Sequence, residues 1–193
     1  IGHCFHHLGH NELALKAFKR ALEVDSDCQD AIIALGFLNL SKHGESSALK
    51  EGMIQMKLAY GMNKNNPVAL LHLSNHFFFA RDFDKARVLA ESCLRVASND
   101  RLKAEAHFIL AKIYHATNEF LDAFENYQLS VKFEPAFVPS IFGLGQCFLI
   151  RNDLGNAAMM FKKVIEIEKA CPEAMRLLVL INMSLLSRLN ESD

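Results

Sequence analysis

Four histidines and a cysteine crowd the first ten residues: His3, Cys4, His6, His7 and His10. Imidazole nitrogen and thiolate sulfur are the usual ligands of zinc, and spacings of three, four and seven put all four histidines on one side of a short helix. Such a site requires the helix to run through His10. Gly9-His10-Asn11 reads instead as a turn, so these histidines are expected to be solvated or to line the groove, with no metal bound. No other arrangement suggests chemistry. The sequence contains no G-x-S-x-G, H-E-x-x-H or phosphate-loop pattern. Gly143-Leu144-Gly145 offers two glycines where a phosphate loop needs more. Glu12, Glu23, Asp122 and Glu125 fall on outer helix faces, where solvation accounts for them. Cys4, Cys28, Cys93, Cys147 and Cys171 are scattered without a C-x-x-C spacing, which suits reduced thiols. The sequence therefore predicts a protein that is no enzyme, with no cofactor and no small-molecule substrate.

Composition narrows the class further. Apolar residues make up 51% of the 193 and charged residues 22%, so a sizeable core can be buried. Prolines number 4 and glycines 9, too few for an all-β chain of many turns, and the abundant Ala, Leu, Lys and Glu favour helix. The net charge of −1 comes without any Lys/Arg cluster, so no direct nucleic-acid contact is expected. The longest uncharged stretches, Asn65–Ala80 and Ala136–Ile150, contain polar residues and fall short of the ~20 apolar residues a bilayer span needs. No membrane partner is expected. The chain opens at Ile1-Gly2, inside a helix by the pattern below, and is expected to be a piece of a longer protein.

What would position any binding side chains is a repeat. A Leu followed by a small residue and, three residues later, an aromatic occurs as Leu73-Ser74 with Phe77, Leu110-Ala111 with Tyr114, and Leu144-Gly145 with Phe148. Gly2 with Phe5 begins the series, while Leu35-Gly36 and Leu178-Val179 continue it with Asn39 and Asn182 at the aromatic place. The small position falls at 2, 36, 74, 111, 145 and 179, at intervals of 34, 38, 37, 34 and 34. Twelve residues later stands Ala14, Ala86, Ala123 or Ala157. A larger residue then follows at Phe18, Tyr127 and Phe161, with Ala90 as the exception, and a smaller or medium one at Ala21, Cys93, Ser130 and Val164. The second unit reaches the same pattern as Gly52, Met56 and Ala59, after four extra residues around Lys42–Ser47. Three more extra residues lie near Val96–Leu102. Spacings of three, four and seven keep each set on one helix face, with small residues letting helices approach and large ones filling the space beside them. Breaks at Gly9-His10-Asn11, Arg81-Asp82, Thr117-Asn118 and Arg151-Asn152-Asp153 are expected turns whose Asn and Asp cap the next helix. Asn66-Pro67 is a helix start.

The pattern predicts eleven helices, near 1–8, 11–24, 28–40, 48–62, 67–80, 83–97, 101–117, 120–133, 136–150, 154–168 and 172–188. It resembles the tetratricopeptide repeat over nearly the whole chain. The implied fold is all-α: one right-handed superhelix of antiparallel helix pairs, with units at about 1–28, 29–66, 67–103, 104–137 and 138–171 and a last first helix at 172–188. The usual Trp is missing. Only Pro135 keeps the usual Pro at a repeat end, against Ser26, Lys64, Ser98 and Lys169 elsewhere.

A narrower resemblance rests on the run Asn66-Pro67 through Leu73-Ser74-Asn75-His76-Phe77-Phe78-Phe79, on Phe142-Gly143-Leu144-Gly145-Gln146, on Gly2-His3-Cys4-Phe5, and on the two length irregularities. Together these are similar to the tetratricopeptide subunit of the RNA polymerase II-associated factor complex, the Cln-three-requiring (Ctr) family. The resemblance implies a nuclear scaffold that wraps other subunits of a complex supporting transcription elongation and histone modification. Other classes are the array of another assembly, an array attached to an enzyme such as a glycosyltransferase or ligase, and a co-chaperone adaptor.

In such a fold the first helix of each pair lines an inner face. Residues one and three positions from the core stripe should point there: Ile33 and Phe37; Leu71, Asn75 and Phe78; Phe108, Lys112 and His115; Phe142, Gln146 and Leu149. A carboxylate clamp for chaperone tails needs Lys, Asn and Arg at these places, and only Asn75 and Lys112 qualify. An apolar or amphipathic segment of a protein partner fits better. Replacing both Phe108 and Phe142 by Ser is expected to abolish partner binding and leave helix content intact.

Overall fold

A computed structural model describes residues 1–42 and 46–190, with the side chains of 7 and 188–190 left aside. Eleven helices follow one another among the described residues: α1 Gly2–His7, α2 Asn11–Val24, α3 Gln29–Leu40, α4 Ser46–Met62, α5 Pro67–Phe79, α6 Phe83–Val96, α7 Asp100–Ala116, α8 Phe120–Phe133, α9 Val138–Ile150, α10 Leu154–Ile167 and α11 Pro172–Asn190. Each begins and ends within two residues of the range that the repeat predicts. Of the stretch Lys42–Ser47 that holds the second unit's extra residues, 43–45 lie outside the described residues and Ser46 begins α4. The chain divides into two compact units, Ile1–Val96 and Ala97–Asp193. Within each, every helix packs against the helices before and after it in sequence.

In the first unit the recurring small residues do what their spacing requires. A Cβ on Gly36 would meet the Gly52 carbonyl oxygen at 3.3 Å, and one on Gly52 would meet the Gly36 carbonyl oxygen at 2.9 Å, so α3 and α4 touch backbone to backbone. In the next pair the Ser74 hydroxyl donates to the Ala86 carbonyl at 2.6 Å, tying α5 to α6 at the same crossing. Ala14, Met56, Ala59, Ala86 and Cys93 are all fully buried beside these crossings. The second unit repeats the scheme. Gly145 lies under the Phe161 ring and Gly143 under the Tyr127 ring, each too close to admit a Cβ without movement. The Ser130 hydroxyl donates to the Ala104 carbonyl at 2.7 Å and lies 2.6 Å from Ser140 Oγ, linking α7, α8 and α9.

Four of the turns, those after α1, α5, α7 and α9, share one form. Seven residues after the small position the backbone is left-handed at Gly9, Arg81, Asn118 and Asn152. The next amide then donates back to the carbonyl five residues earlier, as His10 to Phe5, Asp82 to Phe77, Glu119 to Tyr114 and Asp153 to Phe148. This satisfies carbonyls that the helix end leaves free. Asn118 and Asn152 thus bend the chain and do not cap, contrary to the capping expected of the turn at Thr117-Asn118. Asp82 and Asp153 do cap, accepting from the Lys85 and Asn156 amides, and Asn66 accepts from Val68 and Ala69 ahead of Pro67. Asn11 sits inside α2, with its side chain on His6 instead.

Candidate partner-binding surface

In the first unit the first helices are α1, α3 and α5, and their small positions turn toward the second helices. Phe37, the next residue along α3, points away from that crossing and is 39% exposed. Its ring stands edge-on to His6 of α1 at 5.7 Å and edge-on to His72 of α5, also at 5.7 Å. Three consecutive first helices therefore contribute one ring each to a row, in the offset geometry aromatic pairs prefer. Burial lowers the His72 pKa below its usual value, which keeps that ring neutral at pH 7. Ile33 lies one turn before Phe37 and shares with His3, His6 and Val68 the wall of a cleft of about 360 Å³. Asn75 lines a neighbouring cleft of about 310 Å³ with His72, His76 and Phe79.

Two residues that the spacing places on this face behave otherwise. Leu71 is only 5% exposed and belongs to the core of the unit. Phe78 is half-buried and packs on Phe79 at 5.4 Å and on Phe83 at the start of α6 at 5.8 Å.

In the second unit Phe108, Lys112 and His115 follow one another along α7. The Lys112 ammonium lies 4.9 Å over the Phe108 ring. Phe108 is edge-on to Phe137 at 5.4 Å and 6.2 Å from Tyr127. His115 contacts Phe120 at 5.6 Å and Tyr127 at 6.2 Å. The stripe thus leans on α8 and on the turn that follows it. Burial pushes the Lys112 pKa down to about 8 and lowers that of His115. On α9, Phe142 is edge-on to Phe161 at 5.3 Å, and both Phe142 and Leu149 pack against the core built from α9, α10 and α11. Gln146 is half-buried between them. Phe108 and Phe142 are consequently packing residues as well as surface ones. Ser at both would strip cover from Tyr127 and Phe161, so intact helix content is no longer the expected result of that double substitution.

Among the described side chains, His3, His6 and His10 do not converge. His3 is edge-on to Phe18 at 5.0 Å, and His6 is divided between Asn11 and Phe37. His10 precedes α2 as its N-cap residue. Among the described residues no three His, Cys, Asp or Glu side chains are grouped as a metal would need, and no helix is long and apolar enough to cross a membrane. The spacing reading missed His6 and His72 as members of the aromatic row. His6 occupies the same offset, four beyond the small position, as Phe78, His115 and Leu149, and that match could have found it. His72 sits two before its small position, where the one-and-three rule does not look.

Helix pairs, four of them joined by one turn type, with small residues at their crossings, define a tetratricopeptide-repeat solenoid, a class of protein-interaction module and not of enzyme. The family model of the tetratricopeptide repeat matches residues 1–28. By sequence the chain is similar to CTR9 proteins. It is 33% identical over 165 residues to the RNA polymerase-associated protein CTR9 of Caenorhabditis elegans, covering 85% of this chain and 14% of that protein. It is 33% identical over 171 residues to the CTR9 homolog of Arabidopsis thaliana, covering 86% of this chain and 16% of that protein. The chain therefore spans a small part of these relatives' length. Among solved structures it is similar to the anaphase-promoting-complex hetero-tetramer Cut9–Hcn1, with a TM-score of 0.81, 16% identity, and coverage of 93% of this chain and 35% of that one. It is also similar to YrrB, a tetratricopeptide-repeat protein described as having an unusual peptide-binding site, with a TM-score of 0.60, 17% identity, and coverage of 91% and 87%. At such identities these two speak for the fold alone.

Proposed function

We propose that this chain is part of a nuclear scaffold that holds other subunits of the RNA polymerase II-associated factor complex, and that it grips them through its first-helix faces. The observation that carries the reading is the exposed Phe37 ring, braced between His6 and His72 on three successive first helices. An aromatic braced on both sides offers contact area with little ordering cost, which is what a partner-binding hot spot requires. Ile33 and the adjoining cleft would accept a neighbouring apolar side chain of the partner. The similarity to CTR9 proteins supports the transcriptional setting, and the participation in elongation and histone modification follows from that setting.

The test is affinity capture from nuclear extract with the 193-residue chain, comparing wild type with Phe37→Ser and reading the bound proteins by quantitative mass spectrometry. Phe37 is exposed, so the far-ultraviolet circular dichroism of the variant should match wild type. Polymerase-associated factor subunits should be retained by wild type and depleted about ten-fold or more by the variant, as loss of a hot-spot aromatic implies. Retention of the same subunits by both proteins would remove the aromatic row from the reading. Recovery of chaperones in place of those subunits would favour the co-chaperone class.

A further inference from the structure

The second-helix side of the first unit carries a third cavity, apart from the two clefts already described. It measures about 480 Å³ and opens between the second helices α4 and α6 over the flank of α5. Its apolar lining comes from Tyr60 on α4, Leu73 and Phe77 on α5, and Val88 and Leu89 on α6. Val88 is 58% exposed at the mouth, and Leu58 on α4, 52% exposed, stands next in sequence to Lys57 of the rim. The corresponding ground in the second unit is occupied. There Phe124 of α8 is edge-on to Phe148 at 5.2 Å, and Met160 of α10 packs against the Leu144–Cys147 cluster. Met53 stands in the first unit at the place of Phe124, one residue after the small residue of the second helix, and it lines a different cleft. The space beside Phe77 is therefore left open.

Three charges border the opening: Lys57, Asp84 and Lys85. Lys85 is held by Asp82 at 2.6 Å, with its ammonium 5.5 Å from the Phe77 ring, and Asp84 is held by Arg87 at 3.1 Å. Lys57 forms no ion pair or hydrogen bond among the described residues and is exposed. An apolar hole with one uncommitted cation at its edge selects a complementary ligand: a large apolar side chain to fill it and a carboxylate beside that side chain.

We infer that the α4–α5–α6 cavity is a docking site for an acidic peptide segment of a partner protein, which inserts one Leu- or Phe-sized side chain against Leu73, Phe77 and Leu89 and pairs a nearby Asp or Glu with Lys57. The site is independent of the Phe37 row, so the array can hold two polypeptides on one unit.

The experiment uses the 193-residue chain and a phage-displayed library of random 12-residue peptides, selected on wild type and counter-selected on Val88→Glu, which fills the mouth with a charge that repels carboxylates. Val88 is exposed, so the variant should keep the wild-type thermal melt. Surviving peptides are synthesised with a fluorescent label and titrated by anisotropy against wild type, Lys57→Glu and Phe37→Ser. The inference expects survivors with Asp or Glu within one helical turn of a Leu or Phe. Their affinity should fall about two- to five-fold on Lys57→Glu, the worth of an exposed ion pair, and recover when the peptide's acid is changed to Lys. Phe37→Ser should leave it unchanged. A failure of Phe37→Ser in the extract experiment would not touch this result, so the two readings fall separately. Absence of any survivor, or survivors without acidic preference and indifferent to Lys57→Glu, overturns the inference. A wild-type dimer in sedimentation velocity that Val88→Glu abolishes would assign the cavity to a second copy of the chain and overturn it as well.

Discussion

At the residue scale the most informative side chain is Lys112, because two opposed forces act on one ammonium. Burial disfavours its charge, while the face of Phe108 at 4.9 Å favours it. Burial prevails, and the pKa falls from 10.5 to about 8. The folded chain thus releases this proton more readily than the unfolded chain. Between about pH 8 and 10.5 the unfolded state binds more protons, so stability at this site rises with pH across that window. Below pH 8 both states are protonated and the burial cost is carried in full. Lys112→Met, of similar length and without charge, is expected to raise stability at pH 7 by about 1 kcal/mol, reduced by partial solvent screening and by loss of the cation–ring contact. The gain should shrink toward zero by pH 10.5 in urea titrations of both proteins. A gain that is constant with pH would mean that the ammonium is hydrated in the folded state.

At the scale of the element, what matters is how closely paired helices approach, and two glycines of one helix separate the effects. Gly52 of α4 meets the Gly36 carbonyl of α3, a backbone atom that cannot swing aside. Gly52→Ala should therefore cost about 1–3 kcal/mol, since a methyl must push the helices apart. Gly61, near the end of the same helix, has nothing within 4 Å of where a Cβ would stand. Gly61→Ala should instead add up to about 0.5–1 kcal/mol by removing backbone freedom from the unfolded chain. Thermal melts of the two variants moving in opposite directions would check both. This crossing was legible in the sequence because small residues recur in phase, and the same phase located all eleven helices. The turn residues were half legible. Asn118 and Asn152 are suited both to capping and to a left-handed backbone, and only the backbone amide pattern shows which is used. The exposure of the residues picked for the inner face was legible in outline only. Ile33, Phe37 and Asn75 lie on clefts, but Leu71 is swallowed by the core because a one-residue step around a helix is a 100° turn, and neighbouring helices decide which side of it they cover. The α4–α5–α6 cavity left no periodic signal at all, since it arises from side chains that fail to fill a space.

At the scale of the whole molecule, stability should be distributed by neighbourhood. Within each compact unit every helix packs on those adjacent in sequence, and a stacked repeat chain behaves as a sum of local units and nearest-neighbour interfaces. Loops are short, so local contacts form with little closure cost. The first unit has its own fully buried side chains in Ile32, Leu35, Met56 and Leu70, and the second has Ile141, Phe161 and Val164. Phe161 is the largest of them, fully buried, and it rests on Gly145 and Phe142. Phe161→Ala removes a ring that no neighbouring side chain can replace, at a cost of about 3–5 kcal/mol. In a cooperative globule that loss would lower protection everywhere. In a chain of nearest-neighbour interfaces it should open α9, α10 and α11 while leaving α3 and α4 near their wild-type rates. Hydrogen exchange read by mass spectrometry distinguishes these outcomes peptide by peptide. Faster exchange confined to residues 138–190 is expected, and equal acceleration in residues 29–62 would show that the two compact units unfold as one.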